Sequence, residues 1–232
     1  MPKYSTAFGM DVHLRSTTVC ALDADTGEAV TRRFPGNPWG EIAGWMDGFP
    51  GPSLAAYESG YLGFAPQREL SGLGVDCVVA AVSKVPRSAA DFSSKNDRND
   101  AEFLARMLSV GNVVEVCVPD DECEAARDLV RALDDAREDL KRCKQRLSKF
   151  LLRHGYAFSE TTPTGRRKGN WTAAHWAWIK SISFPEKADN DVLAYYVDAV
   201  RQATENKKRL EKLVEAEASK PRWKKRVDSS GA

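Results

Sequence analysis

No apolar run in the chain approaches the roughly 18–20 residues that a membrane-spanning helix needs. The opening Met-Pro-Lys-Tyr-Ser-Thr lacks the basic start and long apolar stretch of a secretion signal. Both absences point away from a membrane and toward the cytoplasm. Cysteine is sparse, with five residues at positions 20, 77, 117, 123 and 143. An odd number without Cys-x-x-Cys spacing argues against a disulfide framework or a thiolate zinc site and fits a reducing compartment. Strong charge of one sign is missing too, the net being +1. What remains is ordinary for a globular protein: 232 residues, 42% hydrophobic and 29% charged, enough for a buried core and one or two domains.

The near-zero net charge hides a gradient. Residues 1–118 carry 10 basic and 14 acidic side chains, and residues 119–232 carry 24 and 19. Within 141–170 there are nine Lys/Arg and a single Glu. A carboxylate-rich part followed by a basic part suits an enzyme that processes phosphodiesters, and equally the solvated faces of long surface helices.

Local patterns give the order β-β-β-α-β-α-β-α-β for residues 1–118. Strands are expected at 5–11, 17–22 and 28–34, the last two separated by the turn residues Asp25-Thr26-Gly27. A short helix follows at 38–46, a strand at 53–57 ending before Glu58, a helix at 61–73 stopped by Gly74, a buried strand at 76–82, a helix at 97–109 and a strand at 113–118. A meander followed by α/β alternation predicts a mixed sheet with helices on its faces, the order of the ribonuclease H-like (RuvC-like) α/β fold.

Residues 119–219 read as two long helices joined by an aromatic insert. Pro119 and the acids at 120–122 make a helix start. Ala126, Leu129, Leu133, Ala136, Leu140, Cys143, Leu147 and Phe150 then recur at steps of three and four, a coiled-coil seam ending near Gly155. A basic Gly/Pro/Thr-rich loop spans 159–170. Trp171, His175, Trp178 and Ile182 share helical spacing, which reads first as core or partner packing and second as base stacking. A second seam runs Val192, Tyr196, Ala199, Ala203, Asn206, Leu210, Leu213, with Asn206 as its polar member. The two helices fit either an intramolecular antiparallel hairpin or a dimerisation arm. The basic, polar tail from 220 to 232 contains Pro221 and is expected to fray.

Four carboxylates carry the chemical signal. Asp11 closes the first strand in Gly9-Met10-Asp11-Val12-His13, and Glu58 closes the fourth in Ala56-Tyr57-Glu58-Ser59-Gly60. Asp97 and Asp100 stand at i and i+3 at the start of a helix in Lys95-Asn96-Asp97-Arg98-Asn99-Asp100-Ala101. Singly, each acid reads as a cap or a first-turn residue. Together they converge if the two strands are neighbours and the helix crosses their ends. Such a cluster repels itself unless Mg²⁺ (or Mn²⁺) is bound, and two such ions about 3.5–4 Å apart serve phosphoryl transfer. His13 and Lys95 are either phosphate contacts or surface residues. His154 and His175 are far from these acids in sequence and receive no chemical role.

At these motifs the sequence resembles the DEDD-type transposases of insertion sequence family 110, related to Piv-type DNA invertases, over roughly residues 5–215. The resemblance implies a RuvC-like domain (1–118) whose metal-binding catalytic acids are Asp11, Glu58, Asp97 and Asp100, followed by a coiled-coil region. It further implies Mg²⁺-dependent cleavage and exchange of DNA strands, a structured bridge RNA as guide in some members, assembly as dimers or tetramers through the coiled coil, and a nucleoid-associated cytoplasmic location. Lys95, Arg98, Arg142, Lys149, Arg166, Arg167 and Lys168 are then the candidate contacts to nucleic-acid phosphates. Family members also carry a C-terminal domain with a catalytic serine. Ser229 and Ser230 do not resemble its surroundings, so the chain is expected to be a truncated product, incomplete alone. The alternatives are a nucleic-acid-binding subunit or regulator of a full-length transposase and, third, a nuclease that needs only the carboxylates.

Overall fold

The computed structural model describes residues 4–81, 97–166 and 168–223, with the side chain of Asp97 outside the description. The chain divides into two compact units between Val118 and Pro119.

The first unit is a sheet of six strands in the order β3-β2-β1-β4-β5-β6. β1 (Thr6–His13), β2 (Ser16–Asp23) and β3 (Ala29–Pro35) form the antiparallel meander, since two-residue and five-residue connections leave no length for a crossover. β4 (Ser53–Glu58) lies parallel to β1, and β5 (Cys77–Ala80) lies parallel to β4. The connections that allow this carry α1 (Trp39–Met46) and α2 (Ala65–Gly72). α3 (Asp97–Ser109) follows, and β6 (Glu115–Val116) closes the far edge antiparallel to β5. This is the ribonuclease H-like arrangement expected from the element order. α2 is shorter than the 61–73 expected, because Gly63 turns the chain at φ +56° and Pro66 sets the first helical turn. β5 and β6 also fall short of the expected 76–82 and 113–118. Residues 82–96 lie outside the description, and the ladder with β5 covers Glu115 and Val116, with one further bond from the Ala81 amide to the Val114 carbonyl at 2.9 Å.

Alternation divides the sheet residues between two layers. Phe8, Met10, Val19, Ala55, Tyr57 and Val79 pack with Ile42 and Met46 of α1 and Leu70 of α2. Ala7, Leu54, Ala56 and Ala80 pack with Leu104 and Leu108 of α3, while Cys20 and Leu22 meet Ala101 and Ala105. Gly9 belongs to this second face. A Cβ there would stand 2.0 Å from the Ala101 carbonyl oxygen and 2.3 Å from the Ala105 nitrogen, so α3 rests directly on the β1 backbone.

The second unit is an antiparallel hairpin of α4 (Asp121–Arg153) and α6 (Lys187–Ala218), with α5 (Ala173–Ser181) packed at its closed end. Asp120 caps α4 by accepting from the Cys123 amide at 2.9 Å. The helix stops where Gly155 adopts φ +81° and the Tyr156 amide reaches back to the Leu151 carbonyl at 2.9 Å, a Schellman-type ending. The α4 seam is as expected, with Leu133, Leu140, Leu147 and Phe150 buried. The α6 seam holds at Tyr196 and Ala203 and differs elsewhere. Leu193 and Val200 are buried in place of Val192 and Ala199, and Leu213 is 49% exposed. Aliphatic residues stand at both adjacent columns, and Phe150 and Leu147 on α4 select the one with the bulkier side chains. The expected fraying also fails for Lys220–Trp223. Arg222 pairs with Asp120 and Glu122, and the Trp223 indole N–H donates to Glu217 at 3.2 Å, pinning this segment to the open end of the hairpin.

Candidate metal centre and nucleic-acid surface

The sheet register brings two of the four acids together. Met10 pairs with Tyr57 at the last position of the parallel β1–β4 ladder, so Asp11 and Glu58 are the next residue on each of two neighbouring strands. Both fall on the α3 face by alternation, since Ala7 and Gly9 precede Asp11 and Leu54 and Ala56 precede Glu58. The Asp11 side chain is 18% exposed, with His13 Nε2 3.0 Å from its Oδ2. Glu58 is exposed. The turn beyond Glu58 is tied back by the Tyr57 hydroxyl, which donates to the Gly63 carbonyl at 2.9 Å.

The other two acids belong to the helix that lies on this face. The inward stripe of α3 is Ala101, Leu104, Ala105 and Leu108. Positions 97 and 100 precede Ala101 and Leu104 by four residues and so extend that stripe to the start of the helix. Asp100 is half-buried. Among the described residues no three His, Cys, Asp or Glu side chains are grouped as a metal site. The donor chemistry nevertheless suits a hard cation: carboxylate oxygens, neither thiolate nor a second imidazole among them.

Of the basic candidates, Lys95 and Arg167 lie outside the described residues. Arg98 is exposed in the first turn of α3. Arg142 is exposed and pairs with Asp139 at 3.1 Å, Lys149 and Arg166 are exposed, and Lys168 pairs with Glu160 at 3.0 Å. Exposed pairs of this type are worth little and exchange readily for a phosphate. Arg142, Lys149, Arg166 and Lys168 belong to the second unit, whereas the acids belong to the first.

Two structural features escaped sequence reasoning. Gly9 sets the closeness of α3, and its signal was a glycine inside a strand, which marks close backbone approach. His175, given no role, is 3% exposed, and its Nδ1 accepts the Trp171 amide at 2.9 Å. Its helical spacing with Trp171, Trp178 and Ile182 pointed to packing, and only its role as acceptor for the Trp171 amide had no signal in the sequence.

Comparison with known proteins identifies a family. The family model of the DEDD transposases of IS110 type, described as "Transposase", matches residues 8–155. The chain is 30% identical over 223 residues to the transposase for insertion sequence element IS1533 of Leptospira borgpetersenii, which covers 94% of this chain and 62% of that protein. It is 37% identical over 144 residues to the putative transposase y4qE of Sinorhizobium fredii (strain NBRC 101917 / NGR234), covering 62% of this chain and 35% of that one. The chain thus spans less than two thirds of the length of either relative. Among solved structures, the large terminase nuclease of thermophilic phage G20c aligns at a TM-score of 0.31 and 19% identity, over 57% of this chain and 66% of that one. No helix among the described residues is long and apolar enough to cross a membrane. With a family match over more than half its length, the chain belongs to the IS110-type DEDD transposases.

Proposed function

We propose that the chain acts in insertion-sequence transposition as the part that carries the metal-dependent site for cleavage and exchange of DNA strands. Asp11, Glu58, Asp97 and Asp100 hold Mg²⁺ or Mn²⁺ at the carboxyl ends of β1 and β4. The single observation that carries this reading is the β1–β4 register, which sets Asp11 and Glu58 side by side on the face where α3 begins. A bound divalent ion there supplies the charge that draws a scissile phosphate in and activates an attacking oxygen. The chain's own residues prepare the site. The contact with His13 orients the Asp11 carboxylate. Gly9 lets α3 come down onto β1, which brings the start of α3 toward the strand ends. Arg98 and Lys95, which flank Asp97 in the sequence, attract the flanking phosphates, and Arg142, Lys149, Arg166, Arg167 and Lys168 hold DNA or a structured bridge RNA on the second unit. The α4–α6 hairpin joins copies of the chain as a dimer or tetramer, and the protein works on the nucleoid in the cytoplasm.

The test is thermal unfolding during titration with Mg²⁺ or Mn²⁺. The wild type should gain stability with metal. Asp11→Asn with Asp97→Asn should start at least as stable, because two mutually repelling charges are gone, and should not respond. Equal metal responses in the two proteins would falsify the site.

A further inference from the structure

The second unit carries a groove of about 520 Å³ along α4, lined by Arg137, Lys141, Lys144 and Lys149 with Trp171 at one side. Its lining includes four cations and no carboxylate. Arg137 and Lys149 stand twelve residues apart along the helix, about 18 Å. That is a length for several nucleotides.

Trp171 is held in a costly conformation. Its φ is +68°, the one non-glycine residue with positive φ among those described, and bulky side chains rarely adopt this region. The conformation is maintained by the 2.9 Å bond from its amide to Nδ1 of the buried His175. It is also maintained by edge-on packing of the indole against the His175 ring at 5.1 Å and Trp176 at 5.7 Å. The indole remains half-exposed, and Lys144 Nζ sits 5.2 Å from its ring centroid. Backbone strain maintained around a partly exposed aromatic is common at binding sites. The cation over the ring is one that a phosphate can draw away, freeing the face.

We propose that this groove binds an unpaired stretch of nucleic acid, with one base stacked on Trp171 and the neighbouring phosphates on Lys141, Lys144 and Lys149. The proposal rests on the nucleic-acid reading above and deepens it, naming strand state and the mode of contact. On binding, Lys144 leaves the indole for a phosphate and a base takes its place. Stacking of this kind tolerates any base, so the groove selects single strands without selecting sequence.

The experiment is fluorescence anisotropy with the full chain and labelled 12-nucleotide probes: oligo-dT, oligo-U, an abasic strand of equal phosphate number and a blunt duplex. The wild type should bind a base-bearing single strand about tenfold more tightly than the abasic one. The ratio of oligo-dT to oligo-U tells whether DNA or RNA is the preferred source. Trp171→Ala should lose that tenfold and leave abasic binding unchanged. Lys141→Gln with Lys149→Gln, both at exposed positions on α4, should weaken binding of every single strand and lower the salt slope by about 1.4. Equal affinity for abasic and base-bearing strands, tighter binding of duplex, or indifference to the lysine pair overturns the proposal. If no probe binds, the groove assignment fails, while the metal titration of the first unit still decides the site of Asp11 and Glu58 independently.

Discussion

Replacing Gly9 by alanine adds a methyl group 2.0 Å from the Ala101 carbonyl oxygen and 2.3 Å from the Ala105 nitrogen. Both neighbours are backbone, so no side chain can swing aside. To restore an ordinary 3.4 Å contact, α3 must retreat by about 1.4 Å from β1. That retreat loosens Ala101, Leu104, Ala105 and Leu108, which are 0%, 3%, 0% and 6% exposed. Overpacking of this sort costs about 1–3 kcal/mol, and displacement of a whole helix belongs at the upper end. Alanine also reduces the freedom of the unfolded chain, which offsets about 0.4–1 kcal/mol. The net expectation is a loss of about 2 kcal/mol in urea unfolding of the first unit. Gly44→Ala is the control: Gly44 is exposed on α1 with nothing within 4 Å of a new Cβ, and alanine there should add about 0.5–1 kcal/mol. Because α3 carries Asp97 and Asp100, Gly9→Ala should also blunt the metal response in proportion to how far the helix moves. Gly9→Ala within about 0.5 kcal/mol of the wild type, the usual range of a harmless surface change, refutes the direct seating of α3 on β1.

Two further outcomes follow from buried groups. Burial among the rings of Phe158, Trp171 and Trp178 lowers the pKa of His175, and its Nδ1 serves as an acceptor only when neutral. The unfolded chain therefore takes up this proton at a higher pH than the folded one. The contribution is complete above about pH 6.5 and is lost as the pH falls below it. Melting curves from pH 8 to 5 should show this acid limb in the wild type and a weaker one in His175→Phe, and identical limbs would remove His175 as the cause. Burial pushes the Cys77 thiol up to about 12 and raises Cys20 as well, while Cys117 is exposed. A thiol reagent at pH 8 should modify Cys117 in the native protein, and Cys20 and Cys77 only after denaturation. Peptide mapping that finds Cys77 modified as fast as Cys117 contradicts the described core.

The sequence by itself determined what depends on neighbours along the chain. Period-two and period-3.6 patterns gave the nine elements of the first unit in order, because a strand or helix must turn its apolar residues to one side. The heptad spacing from Ala126 to Phe150 predicted the buried seam of α4, and Gly155 its end. Local motifs also singled out Asp11, Glu58, Asp97 and Asp100 as a set. Tertiary structure decided everything that depends on which surfaces meet. Strand order and register, set by non-local pairing, put Asp11 beside Glu58. Within the α6 seam, Leu193 and Val200 turn inward in place of Val192 and Ala199, because α4 chose between adjacent columns that look alike in sequence. Lys220–Trp223 became ordered because Arg222 found Asp120 and Glu122 about a hundred residues away in the chain. The left-handed backbone of Trp171 is tied to His175 four residues on, whereas its place in a basic groove comes from packing against the distant α4. Alternation along a strand is a local property, whereas the identity of the strand alongside is a matter of contacts between distant segments.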